Sequence, residues 1–356
     1  MAAPDRSRDV IRLRDSSGTL WRGYDVAMLD LDGVVYRGGV AISEAAERLG
    51  RARANGLRLA FVTNNASLPP STVAARLRRL GIEAAEADVV TSAQAAARLV
   101  AELVPPGAKV LVIGGEGLES ALVEHDLIAV SSERDEPVAV VQGFGADVGW
   151  RLLAEAAYAV AAGLPWVASN LDLTVPTDRG VAPGNGSLVA AVVAATGQHP
   201  VVAGKPEPAL FDETMLRVGG RRPLVVGDRL DTDIEGANRV GADSLLVLTG
   251  VTTLEVLAAA KPPERPTFVA PDLGGLEVVH PSLQIDGDTI GCAGQWVRLS
   301  GDELVVDSAT TPHAQPESAG VNLVRAAVGA AWHHLDSGAE TVRMNAVQRR
   351  LHEMMV

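Results

Sequence analysis

Short apolar runs alternate with amphipathic stretches along most of the chain, and this alternation predicts the elements. Val26-Ala27-Met28-Leu29 is a compact apolar run that stops at Asp30. Ser43 can cap a helix that runs through Glu44-Ala45-Ala46-Glu47-Arg48-Leu49 and stops near Gly56. Residues 57–62 read as the next strand, and a helix follows Pro69-Pro70-Ser71 and closes at Gly81. Farther along, 110–113, 138–141, 166–168, 224–226 and 244–248 read as strands. Residues 117–125, 149–162 and 186–196 read as helices. Buried strands separated by helices indicate βαβ units around a parallel sheet, so the expected fold class is α/β with a Rossmann-like core.

From about residue 276 the rhythm changes. Residues 283–307 read as short antiparallel strands turning at Ser300-Gly301-Asp302. Leu323, Val324, Ala327, Val328, Ala331, Trp332 and Leu335 then recur at helical spacing, an apolar stripe with a polar back that leaves His333 and His334 to solvent. This tail of about 80 residues is long enough to hold a modest core as a separate α+β unit. Residues 1–22 read as a flexible polar arm, and 261–271 as a Pro-rich surface loop or edge.

Composition narrows the function. The 356 residues carry 31 Lys+Arg against 44 Asp+Glu, a formal net charge of −13, which argues against a protein built to bind nucleic acid. With 47% hydrophobic residues the chain can fill a large core. A single cysteine, Cys292, allows no internal disulfide and no thiolate cluster. Neither a signal-peptide stretch nor an apolar run of about 18 residues is present, so the expectation is a cytoplasmic protein without membrane contact. Only three lysines occur, Lys109, Lys205 and Lys261.

Four segments at predicted strand ends carry chemistry, and the carboxyl edge of a parallel sheet is where ligands bind. In Asp30-Leu31-Asp32-Gly33, two carboxylates in a tight turn can share a divalent cation, or one can attack an electrophile while the other moves protons. Thr63-Asn64-Asn65 offers a hydroxyl, amides and backbone N–H groups to an oxyanion. In Gly204-Lys205-Pro206 a lysine stands in fixed local geometry, suited to neutralising a carboxylate–phosphate pair. In Gly227-Asp228-Arg229-Leu230-Asp231-Thr232-Asp233 the density of acid calls for a cation, and oxygen donors favour Mg2+ over Zn2+. Each segment alone also reads as an ordinary turn or cap.

In order and spacing, the four together resemble the haloacid dehalogenase (HAD) superfamily of phosphohydrolases. The resemblance covers a split core, 23–85 and 200–275, with an α/β insert at 86–199 similar to the C2 cap of the 4-nitrophenylphosphatase and phosphoglycolate phosphatase-like branch. Phe61–Ser67, Pro183–Ser187 and Ala203–Pro208 are close to that branch. The extension, 276–356, resembles the one carried by actinobacterial glycerol-3-phosphate phosphatases. The resemblance implies Asp30 as nucleophile forming an aspartyl-phosphate and Asp32 as general acid, then base. Thr63 would hold phosphoryl oxygens with backbone N–H groups of Asn64 and Asn65, and Lys205 would pair with Asp30 and the phosphate. Mg2+ would be held by the Asp30 carboxylate, the Asp32 carbonyl and Asp228, with Asp233 orienting its water or Lys205; Asp231 is a solvated turn residue. The cap loop from Ser169 through Ser187, with Asn170 and Asp172, would bind hydroxyls of a small polyol phosphate.

The expected activity is thus Mg2+-dependent hydrolysis of a small phosphorylated metabolite, glycerol 3-phosphate foremost. Phosphoglycolate, a nucleotide and 4-nitrophenyl phosphate stand as alternatives. An acyl-CoA-binding or acetyltransferase-like tail is the rival from another class, weakened by the lack of a pyrophosphate loop. Homo-oligomerisation is left open.

Overall fold

The computed structural model describes residues 13–177, 179–307 and 316–355. The chain divides into two compact units: one comprises 1–27, 47–58 and 221–356, the other 28–46 and 59–220.

In the first unit, the apolar runs near 224 and 244 form the parallel strands Pro223–Gly227 and Asp243–Val247. They pair in the register Leu224↔Asp243 to Gly227↔Leu246. Strand Phe268–Ala270 pairs in parallel with 245–247. The Pro-rich piece at 261–271 therefore ends in a buried strand, and Arg265 and Thr267 are buried with it. The tail forms a four-stranded antiparallel sheet, Leu283–Asp286, Thr289–Cys292, Gln295–Ser300 and Glu303–Val306. Helices Pro316–Asp336 and Asn345–Met355 follow.

The long helix does not bury one clean stripe. Its Leu323, Ala326, Ala327 and Ala330 pack with Ile290, Val297 and Leu304 of the antiparallel sheet. Val324, Val328 and Trp332 pack with Leu230, Ile234, Leu246 and Val269 of the parallel part. The leucine, isoleucine and valine side chains among them contribute about 1.5–3 kcal/mol each when fully buried. The Trp332 indole N–H donates to the Leu257 carbonyl at 3.0 Å, and Arg265 lies over its ring while pairing with Asp336 through its two terminal guanidinium nitrogens. His333 and His334 are half-buried rather than solvated.

The expected polar arm divides. Residues 1–12 lie outside the described residues. From Leu13 the chain is tied down: Arg14 N–H donates to the Thr267 carbonyl and Ser16 N–H to the His280 carbonyl. Leu13 and Leu20 are buried, so the described part of the arm is packed.

In the second unit, residues 61–63 of strand Arg58–Thr63 pair in parallel with Val89–Thr91, bringing Thr63 opposite Thr91. Thr91 then caps helix Ser92–Ala101 in a reciprocal box, accepting from Gln94 N–H while its own N–H donates to the Gln94 side chain. Pro70 starts helix Pro70–Arg79 where a missing N–H costs nothing. A second parallel sheet has the order Val201–Val202, Trp166–Ala168, Ala139–Gln142, Lys109–Ile113, Ile128–Val130. Helices Glu116–Val123, Trp150–Ala161 and Asn185–Thr196 accompany it. The stretch from 169 to 187, expected as one loop, contains a hairpin in which Thr174–Thr177 pairs with Gly180–Pro183. Both strands are largely exposed.

Candidate active site

Strand Val26–Leu29 is buried throughout and delivers Asp30 at its carboxyl end. The chain then turns tightly: Gly33 N–H donates to the Tyr36 carbonyl and Val35 N–H to the Leu31 carbonyl. Lys205 meets Asp30 here, its Nζ lying 2.5 Å from Asp30 Oδ1 and 3.4 Å from the Val62 carbonyl. The lysine side chain is 4% exposed and that of Asp30 16%. An ammonium withdrawn this far from water is compensated by its carboxylate partner.

Asp32 stands in different surroundings. Its side chain reaches solvent, yet protein atoms crowd the carboxyl, and this desolvation pushes its pKa up. Arg76 and Arg37 and the N–H groups of Gly38 and Gly33 pull the other way. Arg76 lies over the Tyr36 ring, 4.7 Å from its centroid, and burial raises the Tyr36 phenol to about 12. The sequence reading missed Tyr36, Arg37 and Arg76. Arg76 is a mid-helix residue, and no local spacing links it to Asp32.

Asn64 and Asn65, just past strand Arg58–Thr63, divide their work. Thr63 Oγ1 accepts from Asn65 N–H at 3.1 Å, and Asn65 Oδ1 accepts from the N–H and hydroxyl of Ser67. Asn64 reaches to Lys205 and Asp172: Oδ1 accepts from Lys205 N–H at 2.8 Å, and Nδ2 donates to the Lys205 carbonyl and the Asp172 carboxylate. Gly204 makes this approach possible. A Cβ there would stand 2.5 Å from the Ser169 carbonyl oxygen and 2.7 Å from Asn64 Oδ1, closer than any side chain allows.

The structure brings Asn170 to the same place but commits its side chain internally. Its Nδ2 donates to the Asn64 carbonyl at 2.6 Å and its Oδ1 accepts from Asp172 N–H at 3.1 Å, with the residue 4% exposed. Asn170 shapes the loop through these bonds. Ser92, missed from sequence, and Asn185, inside the expected cap loop, brace the same loops. Ser92 Oγ donates to the Asn64 carbonyl and Asn185 Nδ2 to the Asn170 carbonyl.

The acid-rich loop belongs to the first unit. Asp228 follows strand Pro223–Gly227 and is almost fully buried. Its Oδ2 accepts from Val251 N–H at 2.7 Å, and its carbonyl accepts from the Thr252 hydroxyl at 2.6 Å. Gly250 lies so close that a Cβ there would stand 1.8 Å from Asp228 Oδ2. Residues Leu230–Ile234 form one π-helical turn, a wide turn frequent at functional sites. It swings Asp233 back so that its Oδ2 accepts from Arg229 N–H. Asp228 and Asp233 are both buried and each offers a carboxylate oxygen within 4.8 Å of the other. Two buried carboxylates at that separation repel unless a cation lies with them, and an all-oxygen donor set suits Mg2+. Asp231 is exposed and pairs with Arg229, the solvated turn residue expected.

Among the described residues, no helix is long and apolar enough to cross a membrane. Comparison with known proteins places these motifs in context. Residues 27–128 match a haloacid dehalogenase-like hydrolase family model, and residues 202–276 match a HAD-hydrolase-like model. A D-glycerol 3-phosphate phosphatase of Mycobacterium tuberculosis is 44% identical over 321 residues, covering 87% of this chain and 86% of that protein. An acid sugar phosphatase of Staphylococcus saprophyticus is 36% identical, covering 71% and 96% respectively. The crystal structure of a glycerol phosphate phosphatase from M. tuberculosis in complex with magnesium superposes with a TM-score of 0.81 at 42% identity, covering 93% of this chain and 98% of that one. A 4-nitrophenylphosphatase from Thermotoga maritima gives a TM-score of 0.67 at 30% identity, covering 72% and 98%.

Proposed function

The chain belongs to the haloacid dehalogenase-like hydrolases and is a phosphatase, and from that premise we propose that it cleaves glycerol 3-phosphate to glycerol and phosphate through an aspartyl-phosphate on Asp30. The observation that carries this reading is the Lys205–Asp30 contact at 2.5 Å, a nucleophile and its neutralising cation brought together from positions 175 residues apart. The substrate assignment is supported by the 44% identity to a glycerol 3-phosphate phosphatase over most of both chains.

The steps follow from charge. The Asp30 carboxylate attacks phosphorus in line, and the Lys205 ammonium offsets the repulsion between carboxylate and phosphate dianion. Thr63, with the backbone N–H of Asn64, holds the equatorial oxygens, and the Asn65 N–H, which donates to Thr63 Oγ1, steadies that hydroxyl. Asp32, whose pKa desolvation raises, gives its proton to the departing glycerol alkoxide and then takes one from the water that attacks the phospho-aspartate. This order suits an alcohol leaving group, which departs poorly unless protonated.

As the family resemblance implies, Mg2+ would be held by the Asp30 carboxylate, the Asp32 carbonyl and Asp228, with Asp233 orienting its water or Lys205. When bound, the ion would supply positive charge to the transferring phosphoryl oxygens. Asp172 is the cap residue best suited to a glycerol hydroxyl, since it is only half-buried while Asn170 is 4% exposed. The test is kcat/KM across glycerol 3-phosphate, phosphoglycolate, a nucleoside monophosphate and 4-nitrophenyl phosphate, with Mg2+ and with EDTA. Glycerol 3-phosphate leading the panel, with activity abolished by EDTA, is the expected result. Another ester leading overturns the substrate, and activity in EDTA overturns the metal.

A further inference from the structure

Asn64 is one residue beyond strand Arg58–Thr63, and each polar atom of its side chain is engaged inside the protein. Oδ1 accepts from Lys205 N–H at 2.8 Å. Nδ2 donates to the Lys205 carbonyl at 3.1 Å and to the Asp172 carboxylate at 3.2 and 3.4 Å. An amide that accepts from one residue's N–H and donates to the same residue's carbonyl copies the pairing of two extended strands. It fixes where that residue's main chain sits and how it is turned. The Asn64 carbonyl is held in turn by Ser92 Oγ and Asn170 Nδ2.

Lys205 is therefore gripped at both ends, its main chain by Asn64 and its Nζ by Asp30 and Val62. The four-carbon stem between them is flexible and ends in a point charge. Only a fixed main chain keeps that charge where the phosphate needs it, and a displacement of about 1 Å at such a group costs roughly 10²-fold in rate.

We propose that Asn64 is a positioning residue that couples the Asp172 loop to the ammonium of Lys205. The Nδ2 hydrogen facing Asp172 orients the amide, the oriented amide sets the Lys205 main chain, and the main chain places Nζ against Asp30. Whatever moves the Asp172 carboxylate, including a substrate hydroxyl, is felt at the lysine. The coupling rests on the preceding reading of Lys205 as the cation of the phosphoryl transfer.

The test is a double-mutant cycle of Asn64→Asp and Asp172→Asn with Mg2+ and 4-nitrophenyl phosphate, an ester without hydroxyls for Asp172 to bind. Asn64→Asp keeps the acceptor for Lys205 N–H but sets a second carboxylate against Asp172. Its kcat is expected to fall about 100-fold with KM changed less than about threefold. Adding Asp172→Asn restores a donor opposite the carboxylate at position 64, and kcat is expected to recover at least about tenfold. A side chain that only fills space would give additive losses. Asn64→Ser keeps an acceptor without adding charge and provides a second reading if Asn64→Asp folds poorly; its expected loss is about tenfold in kcat. Wild-type kcat in both position-64 variants, or no recovery in the double variant, overturns the coupling. Lys205→Ala separates the two levels. If it retains wild-type kcat, the reading of the site fails. If it is inactive while Asn64 tolerates both changes, only the coupling fails.

Discussion

Asp30 and Asp32 are two residues apart, and the proposal gives them different work because their surroundings differ. Asp30 faces an ammonium at 2.5 Å. Asp32 faces a crowded turn that raises its pKa, with two arginines opposing. Environments that push two carboxyl groups apart are how acid and nucleophile roles separate. Asp32→Asn should lower kcat/KM for glycerol 3-phosphate by roughly 10²–10⁴-fold. For 4-nitrophenyl phosphate, whose leaving group needs little protonation, the loss should be much smaller. Equal losses on the two esters would remove Asp32 from the acid role. The same scale gives a test of the metal. A Cβ on Gly250 would collide with Asp228 Oδ2, so Gly250→Ala should raise the Mg2+ concentration for half-maximal activity about tenfold or more. An unchanged Mg2+ requirement would show that Asp228 is not a ligand.

Elements were legible where burial alone shaped them. Trp166–Ala168 lies where the apolar run predicts, and Arg58–Thr63, Ala139–Gln142 and Asp243–Val247 lie within one residue of expectation. The hairpin Thr174–Thr177 with Gly180–Pro183 was not legible, because its exposed strands carry no burial pattern and each contains a proline, Pro176 and Pro183. Helix Pro316–Asp336 was legible as a helix, but its partners were not. Arg325 reads as a polar-face residue and is in fact wholly buried, donating to the carbonyls of Arg14 and Pro281.

Arg325 also faces His280, which is buried with Nε2 2.9 Å from the Gly275 carbonyl and Nδ1 3.4 Å from the Arg325 guanidinium. Protonating Nδ1 would set a cation against a cation inside the fold. Burial lowers His280 from 6.5 to about 4, with Arg325 adding to the shift and the Gly275 carbonyl opposing it. As pH falls below about 6.5 the unfolded chain binds this proton and the native state does not. The stabilisation is therefore complete above that pH and is lost progressively towards about 4. Between about pH 7 and about pH 5 the wild type should lose ~2 kcal/mol more unfolding free energy than His280→Gln. Parallel losses by urea denaturation would contradict the assignment.

For the whole molecule, a net charge of −13 is a poor guide to the substrate, which is itself an anion. Local chemistry governs: one of three lysines lies against Asp30. The four motif segments and their order were readable because strand ends and glycine turns leave sequence marks, and the family models match 27–128 and 202–276, where the motifs lie. Contacts between distant segments, such as Asn64 with Lys205 and Asp172, leave no such mark. Two polar residues 141 apart give no spacing to read.

The central claim is that Asp30 carries the phosphoryl group. The most direct measurement is acid-quenched turnover of radiolabelled glycerol 3-phosphate, followed by mapping of the labelled peptide. The account predicts a hydroxylamine-labile phosphate on the peptide containing Asp30, and no label together with no turnover in Asp30→Asn. Label on another residue, or wild-type turnover by Asp30→Asn, would contradict it.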